Sequence, residues 1–255
     1  MLALMCALLP LTGCAWRAES AEVNVFAAAS LTETLTAVAE QYQVVAPGVR
    51  LRFSFDSSGT LQRQLEEGAD CDLFLSAAPA QMDALAGRGA IDDASRIDLL
   101  ENRVVLVVPE GNPKGIRSYD ELVSALQGGD ILLAVGGAGV PVGQYTQKIF
   151  AAYGFGENEL AARGVLSYGS NVKEVVTQVV EAAVDCGIVY QTDAYSAGLT
   201  VVDTAAAELC GRVVYPAAVL KGAAHPDEAA AFLDYLQGPE AAAIFESVGF
   251  TSLAK

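Results

Sequence analysis

Four short stretches of small and hydroxyl-bearing residues in this 255-residue chain could bind an anion through neutral hydrogen-bond donors. They are ASLTE (29–33), DSSGT (56–60), GGAGVPVG (136–143) and SNVKE (170–174). Each stretch stands between a predicted strand and a predicted helix. A helix N-terminus offers unpaired N–H groups and the positive end of the helix dipole, and small residues let an oxyanion approach that backbone. The four stretches therefore predict a pocket that requires no Arg or Lys side chain.

Two of these stretches have the spacing of a helix-capping box, in which an N-cap side chain and a glutamate three residues later bond to backbone amides. Ser30 with Glu33 has this spacing, and so does Asn171 with Glu174. A single capped helix is more typical of a structural cap than of a binding site. The position of Tyr190, at the end of an apolar run, is likewise typical of a core tyrosine with a hydrogen-bonded hydroxyl. Only the convergence of several stretches on one cleft would indicate a ligand.

The segments around the stretches alternate β-branched runs with helical periodicity, which favours an α/β fold with largely parallel sheets. Strands are predicted at 23–26, 49–55, 72–76, 104–108, 131–135, 187–190, 199–202 and 212–220. Ligands of open α/β sheets bind beyond the carboxyl ends of strands, where all four stretches would lie. Strands 104–108 and 213–220 bracket the middle of the chain, which fits a discontinuous arrangement of two lobes.

The composition disfavours several classes of function. A net charge of −16 opposes nucleic acid and anionic membranes as partners, and long-range attraction cannot help an anionic ligand. Local donors must therefore bind such a ligand. The glycine-rich stretch lacks the G-K-[ST] of a P-loop and the spacing of a dinucleotide fingerprint.

An α/β hydrolase is the alternative from a different functional class. His225 is the only histidine, and its place before Pro226 is typical of a loop. Ser30 and Ser58 therefore have no imidazole partner, and no G-x-S-x-G motif is present. The sequence leaves a Ser–Lys arrangement open, but it predicts a binding protein and not an enzyme. A single histidine also disfavours a Cys/His zinc site.

Residues 1–20 are predicted to be an export signal and a short tether. An apolar run ends at LTGC (11–14), which resembles a bacterial lipobox with Cys14 as the lipidated residue, although no Lys or Arg precedes the run. The mature protein is therefore expected in the periplasm or at the cell surface, anchored by lipid. If Cys6 leaves with the signal and Cys14 carries lipid, three cysteines remain, which are Cys71, Cys186 and Cys210. At most one disulfide bridge can form among them.

Ordered motifs along the chain closely resemble the binding proteins of bacterial molybdate ABC transporters. The first are FAAASL (26–31), FDSSGTL (55–61) and DLFLSA (72–77). Those that follow are LAVG (133–136), VPVGQY (140–145), GIVY (187–190), DYL (234–236), GP (238–239), IF (244–245) and VGF (248–250). The resemblance covers about residues 22–252 and is specific because so many motifs occur in order.

The resemblance implies a two-lobed periplasmic-binding-protein fold of type II, each lobe being a mixed, mostly parallel sheet flanked by helices. Residues 21–105 and 216–255 would form the first lobe and residues 106–215 the second, with the ligand between them. The protein would be a monomer that delivers molybdate, or tungstate, to a membrane permease. No cofactor is implied, and molybdenum would enter only as molybdate, without a direct bond from the protein to the metal.

The resemblance also implies which residues bind the oxyanion. The hydroxyl donors would be those of Ser30, Ser58 and Tyr190. The backbone N–H donors would be those of Ser58, Val142 and Val172. Position 142 is alanine in the family as we know it, but a backbone donor tolerates valine there. The residues around Val172 match the family less well than the other motifs do.

A receptor for sulfate or another tetrahedral oxyanion is the alternative within the same class. Molybdate, tungstate and sulfate are fully ionised near neutral pH and suit a shell of donors. Hydrogen phosphate carries a proton that would face those donors without an acceptor, which disfavours it. Only its smaller size distinguishes sulfate, so the choice of molybdate rests on the resemblance.

Overall fold

The structure is a computed structural model that describes residues 21–253. Its strands are β1 (Ala21–Ala28), β2 (Val49–Asp56), β3 (Leu73–Leu75), β4 (Ile97–Asn102), β5 (Val104–Val108), β6 (Leu133–Gly136), β7 (Leu166–Gly169), β8 (Cys186–Tyr190), β9 (Thr200–Thr204), β10 (Val213–Val219) and β11 (Thr251–Ser252). Its helices are α1 (Thr32–Val45), α2 (Ser58–Glu66), α3 (Pro79–Gly87), α4 (Tyr119–Gly128), α5 (Pro141–Ala152), α6 (Glu157–Ala162), α7 (Val172–Val180), α8 (Gln191–Ser196), α9 (Ala207–Cys210), α10 (Pro226–Leu236) and α11 (Pro239–Ser247). A 3-10 turn, Ala29–Leu31, joins β1 to α1.

The strands form two mixed sheets, which agrees with the predicted α/β class. The six-stranded sheet has the order β11-β4-β10-β3-β1-β2, and the five-stranded sheet has the order β7-β6-β8-β5-β9. The expectation of mostly parallel sheets is wrong, since four of the nine pairings between these strands are parallel and five are antiparallel. The physical reason is that β5 and β10 enter their sheets from the other sheet, without the helical crossover that makes neighbouring strands parallel.

The chain passes between the sheets twice. It leaves the six-stranded sheet after Asn102, enters the five-stranded sheet at Val104, and returns between Thr204 and Val213. The predicted lobe limits, after residues 105 and 215, fall inside β5 and β10, each of which lies whole in one sheet. The division into two lobes itself stays a prediction.

The core extends through both sheets because their central strands are apolar along their whole length. Every residue of β5, β8 and β10 is buried, as strands covered on both faces require. The predicted strands omit β4, β7 and the two-residue β11. The β4 and β7 sequences, IDLLEN and LSYG, mix polar and apolar residues without a clear pattern. Neighbouring strands, and not local periodicity, hold these two segments in their sheets.

Two sequence predictions concern cysteines and the membrane. Among the described residues Cys71, Cys186 and Cys210 are free and buried, so the bridge that the sequence permits does not form. No helix within residues 21–253 combines the length and apolarity that crossing a bilayer requires. The predicted lipobox at Cys14 lies outside the described residues.

Candidate anion-binding site

A small cavity lies between the sheets, beyond the carboxyl ends of β1 and β2 on the six-stranded side and of β6 and β7 on the five-stranded side. Parallel pairing places the carboxyl ends of β1 and β2 side by side, and likewise those of β6 and β7. The lining residues are Ala28, Ala29, Ser30, Asp56, Ser57, Ser58, Ala77, Val140, Pro141, Val142, Val172 and Tyr190. All five residues predicted to bind the oxyanion are among them, namely Ser30, Ser58, Val142, Val172 and Tyr190. Their role as ligands stays a prediction.

The size and charge of the cavity limit what it can hold. Its volume is about 10 Å³, close to the room that a single water molecule needs. Pockets for drug-sized molecules occupy about 300–1,000 Å³. No lysine or arginine is among the lining residues, and Asp56 is the only carboxylate there. The cavity therefore suits a small ion that neutral groups can bind.

Helix α2 presents both a backbone and a hydroxyl donor from Ser58. The Ser57 side chain caps α2 by accepting the N–H of Thr60 at 3.2 Å. This cap satisfies the third amide of the helix, while the first amide, that of Ser58, has no partner among the described residues. The Ser58 hydroxyl oxygen accepts the N–H of Ala77 at 3.0 Å, which leaves its proton free to be donated.

Helix α7 repeats this arrangement on the five-stranded side. The Asn171 side chain accepts the N–H of Glu174 at 3.1 Å, and the Glu174 carboxylate accepts the N–H of Ser170 at 2.7 Å. The predicted cap by the Asn171 side chain is thus confirmed, whereas Glu174 bonds to the amide of Ser170 and not to that of Asn171. The Ser170 amide lowers the pKa of Glu174. The N–H of Val172, the first of the helix, has no partner within residues 21–253.

Helix α5 reaches the cavity without a polar cap. Its N-cap is Val140, and Pro141 at the first position has no N–H, so Val142 supplies the first amide. The preceding turn is tight, because a Cβ at Gly143 would collide with the carbonyl oxygen of Gly136. The glycines therefore serve a close backbone turn that brings the Val142 amide to the cavity.

Ser30 does not cap a helix, so the predicted Ser30–Glu33 capping box is wrong. Ser30 lies in the 3-10 turn, and the N-cap of α1 is Leu31, without a side-chain cap bond. The Ser30 hydroxyl instead lies 2.9 Å from the Tyr215 hydroxyl, a buried partner that the local spacing does not reveal. Ser30 thereby stays at the cavity wall.

Tyr190 brings a buried hydroxyl to the cavity. Only 1% of the residue is exposed, and its hydroxyl has no hydrogen-bond partner among the described residues. Burial, followed by the nearby Tyr215, raises the pKa of Tyr190 well above its ordinary value, so the hydroxyl keeps its proton. An unpaired buried polar group costs about 1–3 kcal/mol, which a ligand oxygen would offset.

Sequence patterns predicted no role at the site for Asp56, Asn102 or Tyr215. Asp56 lines the cavity, and one of its carboxylate oxygens accepts the N–H of Ser57 at 2.6 Å. Asn102 and Tyr215 lie behind Ser30. Asp56 belongs to a predicted stretch and could have been included, but Tyr215 sits in an apolar strand that is typical of core.

An ion-pair network joins the two sides of the cleft. The Lys173 ammonium lies 2.7 Å from the carboxylate of Glu33 in α1 and 2.9 Å from that of Asp193 in α8. Burial raises the pKa of Asp193 to about 6, although Lys173 opposes the shift. Because two carboxylates surround Lys173, its charge adds little to the attraction of the cavity for an anion.

This arrangement of two sheets around one cavity can be compared with known proteins. The model of the family described as bacterial extracellular solute-binding protein matches residues 23–251. The chain belongs to this family. The predicted periplasmic-binding-protein fold of this solute-binding protein is confirmed by that match and by the structural likeness described next.

Proteins similar to this solute-binding protein include a molybdate-binding protein and a sulfate-binding protein. It is 39% identical to the molybdate-binding protein ModA of Escherichia coli (strain K12), over 92% of this chain and 90% of that protein. It is 31% identical to the putative ABC transporter substrate-binding lipoprotein YvgL of Bacillus subtilis (strain 168), over 98% and 96%. The solved structure of the sulfate-binding protein SubI from Mycobacterium tuberculosis H37Rv matches with a TM-score of 0.76 and 20% identity, over 91% of this chain and 87% of that one. The likeness to SubI concerns the fold alone.

Proposed function

We propose that this protein is the extracytoplasmic solute-binding component of an ABC importer and that it binds molybdate, and tungstate with it. The observation that carries the proposal is the convergence of four strand-to-helix junctions on one small cavity without a cationic lining side chain. The 39% identity to a molybdate-binding protein supports molybdate as the ion. The loaded protein would then deliver the ion to a membrane permease.

The proposed shell consists of neutral donors from both sides of the cleft. The hydroxyl donors are those of Ser30, Ser58 and Tyr190, and the N–H donors are those of Ser58, Val142 and Val172. Each such hydrogen bond to a charged oxygen stabilises the complex by about 1.5–3 kcal/mol. About six of them exceed the costs of dehydration and association only in a preorganised site. A Kd between about 1 μM and 1 nM follows.

Binding without catalysis is proposed because no general base contacts the cavity serines among the described residues. Ser30 contacts the Tyr215 hydroxyl, and Ser58 accepts an amide N–H. His225 lies at the start of α10, where its backbone N–H donates to Asp72. A hydrolase mechanism would require an imidazole or ammonium beside Ser30 or Ser58.

Sulfate is the second candidate ligand, because the sulfate-binding protein SubI has the same fold. Sulfate is also fully ionised, so the shell of donors accepts both ions. The smaller sulfate would leave longer hydrogen bonds in a cavity shaped for molybdate. We therefore expect sulfate to bind more weakly.

We further propose that the mature protein is a monomer outside the cytoplasm, held by lipid on Cys14. The description of the family as extracellular supports the location, and the lipoprotein YvgL supports the anchor. Labelling of cells with a radioactive fatty acid would test it. A Cys14→Ser variant that incorporated as much label as the wild type would contradict the anchor.

Calorimetric titration of the purified protein with molybdate, tungstate, sulfate and phosphate tests the proposed ligand. Molybdate and tungstate are expected to bind at micromolar concentration or below, and sulfate and phosphate more weakly. The Ser30→Ala variant should lose affinity, whereas Ser124→Ala, an exposed serine of α4, should not. Absence of a molybdate response at about millimolar concentration would overturn the proposal.

A further inference from the structure

The first turn of α2 meets the turn before α5 across the cleft, where two glycines face each other. A Cβ at Gly59 would collide with the carbonyl oxygen of Gly139. Gly59 is buried and directly follows Ser58, and Gly139 precedes Val142 by three residues. Neither glycine lines the cavity. Their contact therefore sets how near the Ser58 donors come to the Val142 amide, without touching a ligand.

A second contact across the cleft is the ion pair between Lys173 and Glu33. The Lys173 ammonium lies 2.9 Å and 2.7 Å from the two carboxylate oxygens of Glu33. Lys173 directly follows Val172, and Glu33 comes three residues after Ser30. Neither member of the pair lines the cavity. The pair therefore holds the segment of the Val172 amide close to the segment of Ser30.

Asp193 fixes the Lys173 side chain on the five-stranded side of the cleft. The Asp193 carboxylate is fully buried and lies 2.9 Å from the Lys173 ammonium, whereas the Glu33 side chain is half exposed. Separation of Lys173 from Asp193 would leave a buried charge without its partner, at a large cost in free energy. The bond to Glu33 is therefore the one that breaks when the two sides move apart.

The burial of the cavity means that the two sides must part to admit an ion. Every lining residue except Asp56 is buried, so solvent scarcely reaches the cavity. The glycine contact and the ion pair each join atoms from opposite sides, so neither persists when the sides separate. A bound ion therefore leaves only after these contacts have broken.

We infer that Gly59 and the Lys173–Glu33 pair are positioning residues that close the cleft over the ion and so determine how long it is retained. The inference rests on the proposed function and deepens it. Gly59 acts by lacking a side chain, which lets the two backbones approach. Lys173 and Glu33 act through a bond that forms only in the closed state.

Gly59→Ala tests the backbone contact. A backbone carbonyl moves less easily than a side chain, so the added methyl group should keep the sides apart and raise the Kd for molybdate about tenfold, the effect of one hydrogen bond. Alanine is the better helix former, so the melting temperature of the ion-free protein should not fall. Gly87→Ala is the matched control, because a Cβ at this last residue of α3 meets no atom within 4 Å. Its Kd should stay within about twofold of the wild type.

Glu33→Gln tests the ion pair, because charge and closure predict opposite signs. Removal of a carboxylate near the cleft would tighten the binding of a dianion if charge alone mattered. Loss of the closing ion pair should instead weaken binding, and we expect radioactive molybdate to be released about threefold faster after dilution. Glu40→Gln, the same change at an exposed position later in α1, should alter the release rate less.

Unchanged molybdate affinity in Gly59→Ala, or slower release in Glu33→Gln, would overturn the inference and leave the proposed ligand intact. A lower melting temperature of ion-free Gly59→Ala would also count against it, because the glycine would then serve the fold. Small-angle X-ray scattering should show that molybdate makes the wild type more compact and Gly59→Ala less so. A wild type that binds none of molybdate, tungstate and sulfate would overturn the proposed function, and the inference with it.

Discussion

The two sides of the cleft offer donors of different kinds. The six-stranded side offers the hydroxyls of Ser30 and Ser58, which already form hydrogen bonds with the Tyr215 hydroxyl and the Ala77 N–H. The five-stranded side offers the backbone N–H groups of Val142 and Val172, together with the Tyr190 hydroxyl. A hydroxyl donor depends on residue type and on the partner that orients it. A backbone donor depends only on where the helix begins and on the absence of proline, so the two sides should respond differently to substitution.

The largest effect is expected on the six-stranded side, from Ser58→Ala. This change removes a ligand donor, so the Kd for molybdate should rise about 100-fold. It also leaves the buried Ala77 N–H without its acceptor, which should lower the free energy of unfolding by about 1–3 kcal/mol. Calorimetry and denaturant unfolding measure the two quantities. The control is Ser76→Ala, a buried serine that precedes Ala77 but does not itself line the cavity, and equal losses of affinity in both variants would contradict the assignment.

On the five-stranded side, proline can remove a donor while keeping the helix. Val172 is the first residue of α7, and Asn171 before it has extended backbone angles that a following proline requires. Val172→Pro should therefore raise the Kd for molybdate about tenfold, whereas Val172→Ala, which keeps the N–H, should change it less than about twofold. Circular dichroism checks that the helix persists. Similar affinities in the two variants would show that this amide does not bind the ion.

The carboxylate of Asp56 is expected to oppose binding of a dianion at the six-stranded side. Asp56→Asn keeps an oxygen that can accept the Ser57 N–H but removes the charge. The affinity for molybdate should rise about threefold or more, and titration at low and high ionic strength should show a larger gain at low salt. Hydrogen phosphate, to which Asp56 could offer an acceptor, should gain less. A loss of molybdate affinity would contradict this account.

The smallest effect on affinity is expected for Val142→Ala. The N–H remains, so the Kd measured by calorimetry should stay within about twofold of the wild type. The buried side chain is lost, however, and the free energy of unfolding measured with denaturant should fall by about 1–3 kcal/mol. This substitution should therefore lower stability while leaving binding almost unchanged. A tenfold change in Kd would mean that the valine side chain shapes the cavity.

The two predicted capping patterns illustrate how far local spacing reaches. Asn171 with Glu174 forms the expected cap, since the residues that decide it lie within one turn of α7. Ser30 with Glu33 has the same spacing and forms none. The segment that leads into α1 is a 3-10 turn, and the Ser30 hydroxyl forms a hydrogen bond with Tyr215, which lies 185 residues away in sequence. The same spacing therefore gives a capped helix at Asn171 and none at Ser30, where Tyr215 in the distant strand β10 is the partner instead.

The sequence alone determined the alternation of strands and helices, the four junctions rich in small and polar residues, and the lack of an Arg or Lys side chain in three of them. These properties depend on periodicity and turn chemistry within a few residues. Only the tertiary structure decided the mixed pairing of the sheets and the hydrogen-bond partner of each serine hydroxyl. The physical reason is that a hydroxyl rotates freely until a partner fixes it. The partners here, Ala77 for Ser58 and Tyr215 for Ser30, come from other segments of the folded chain.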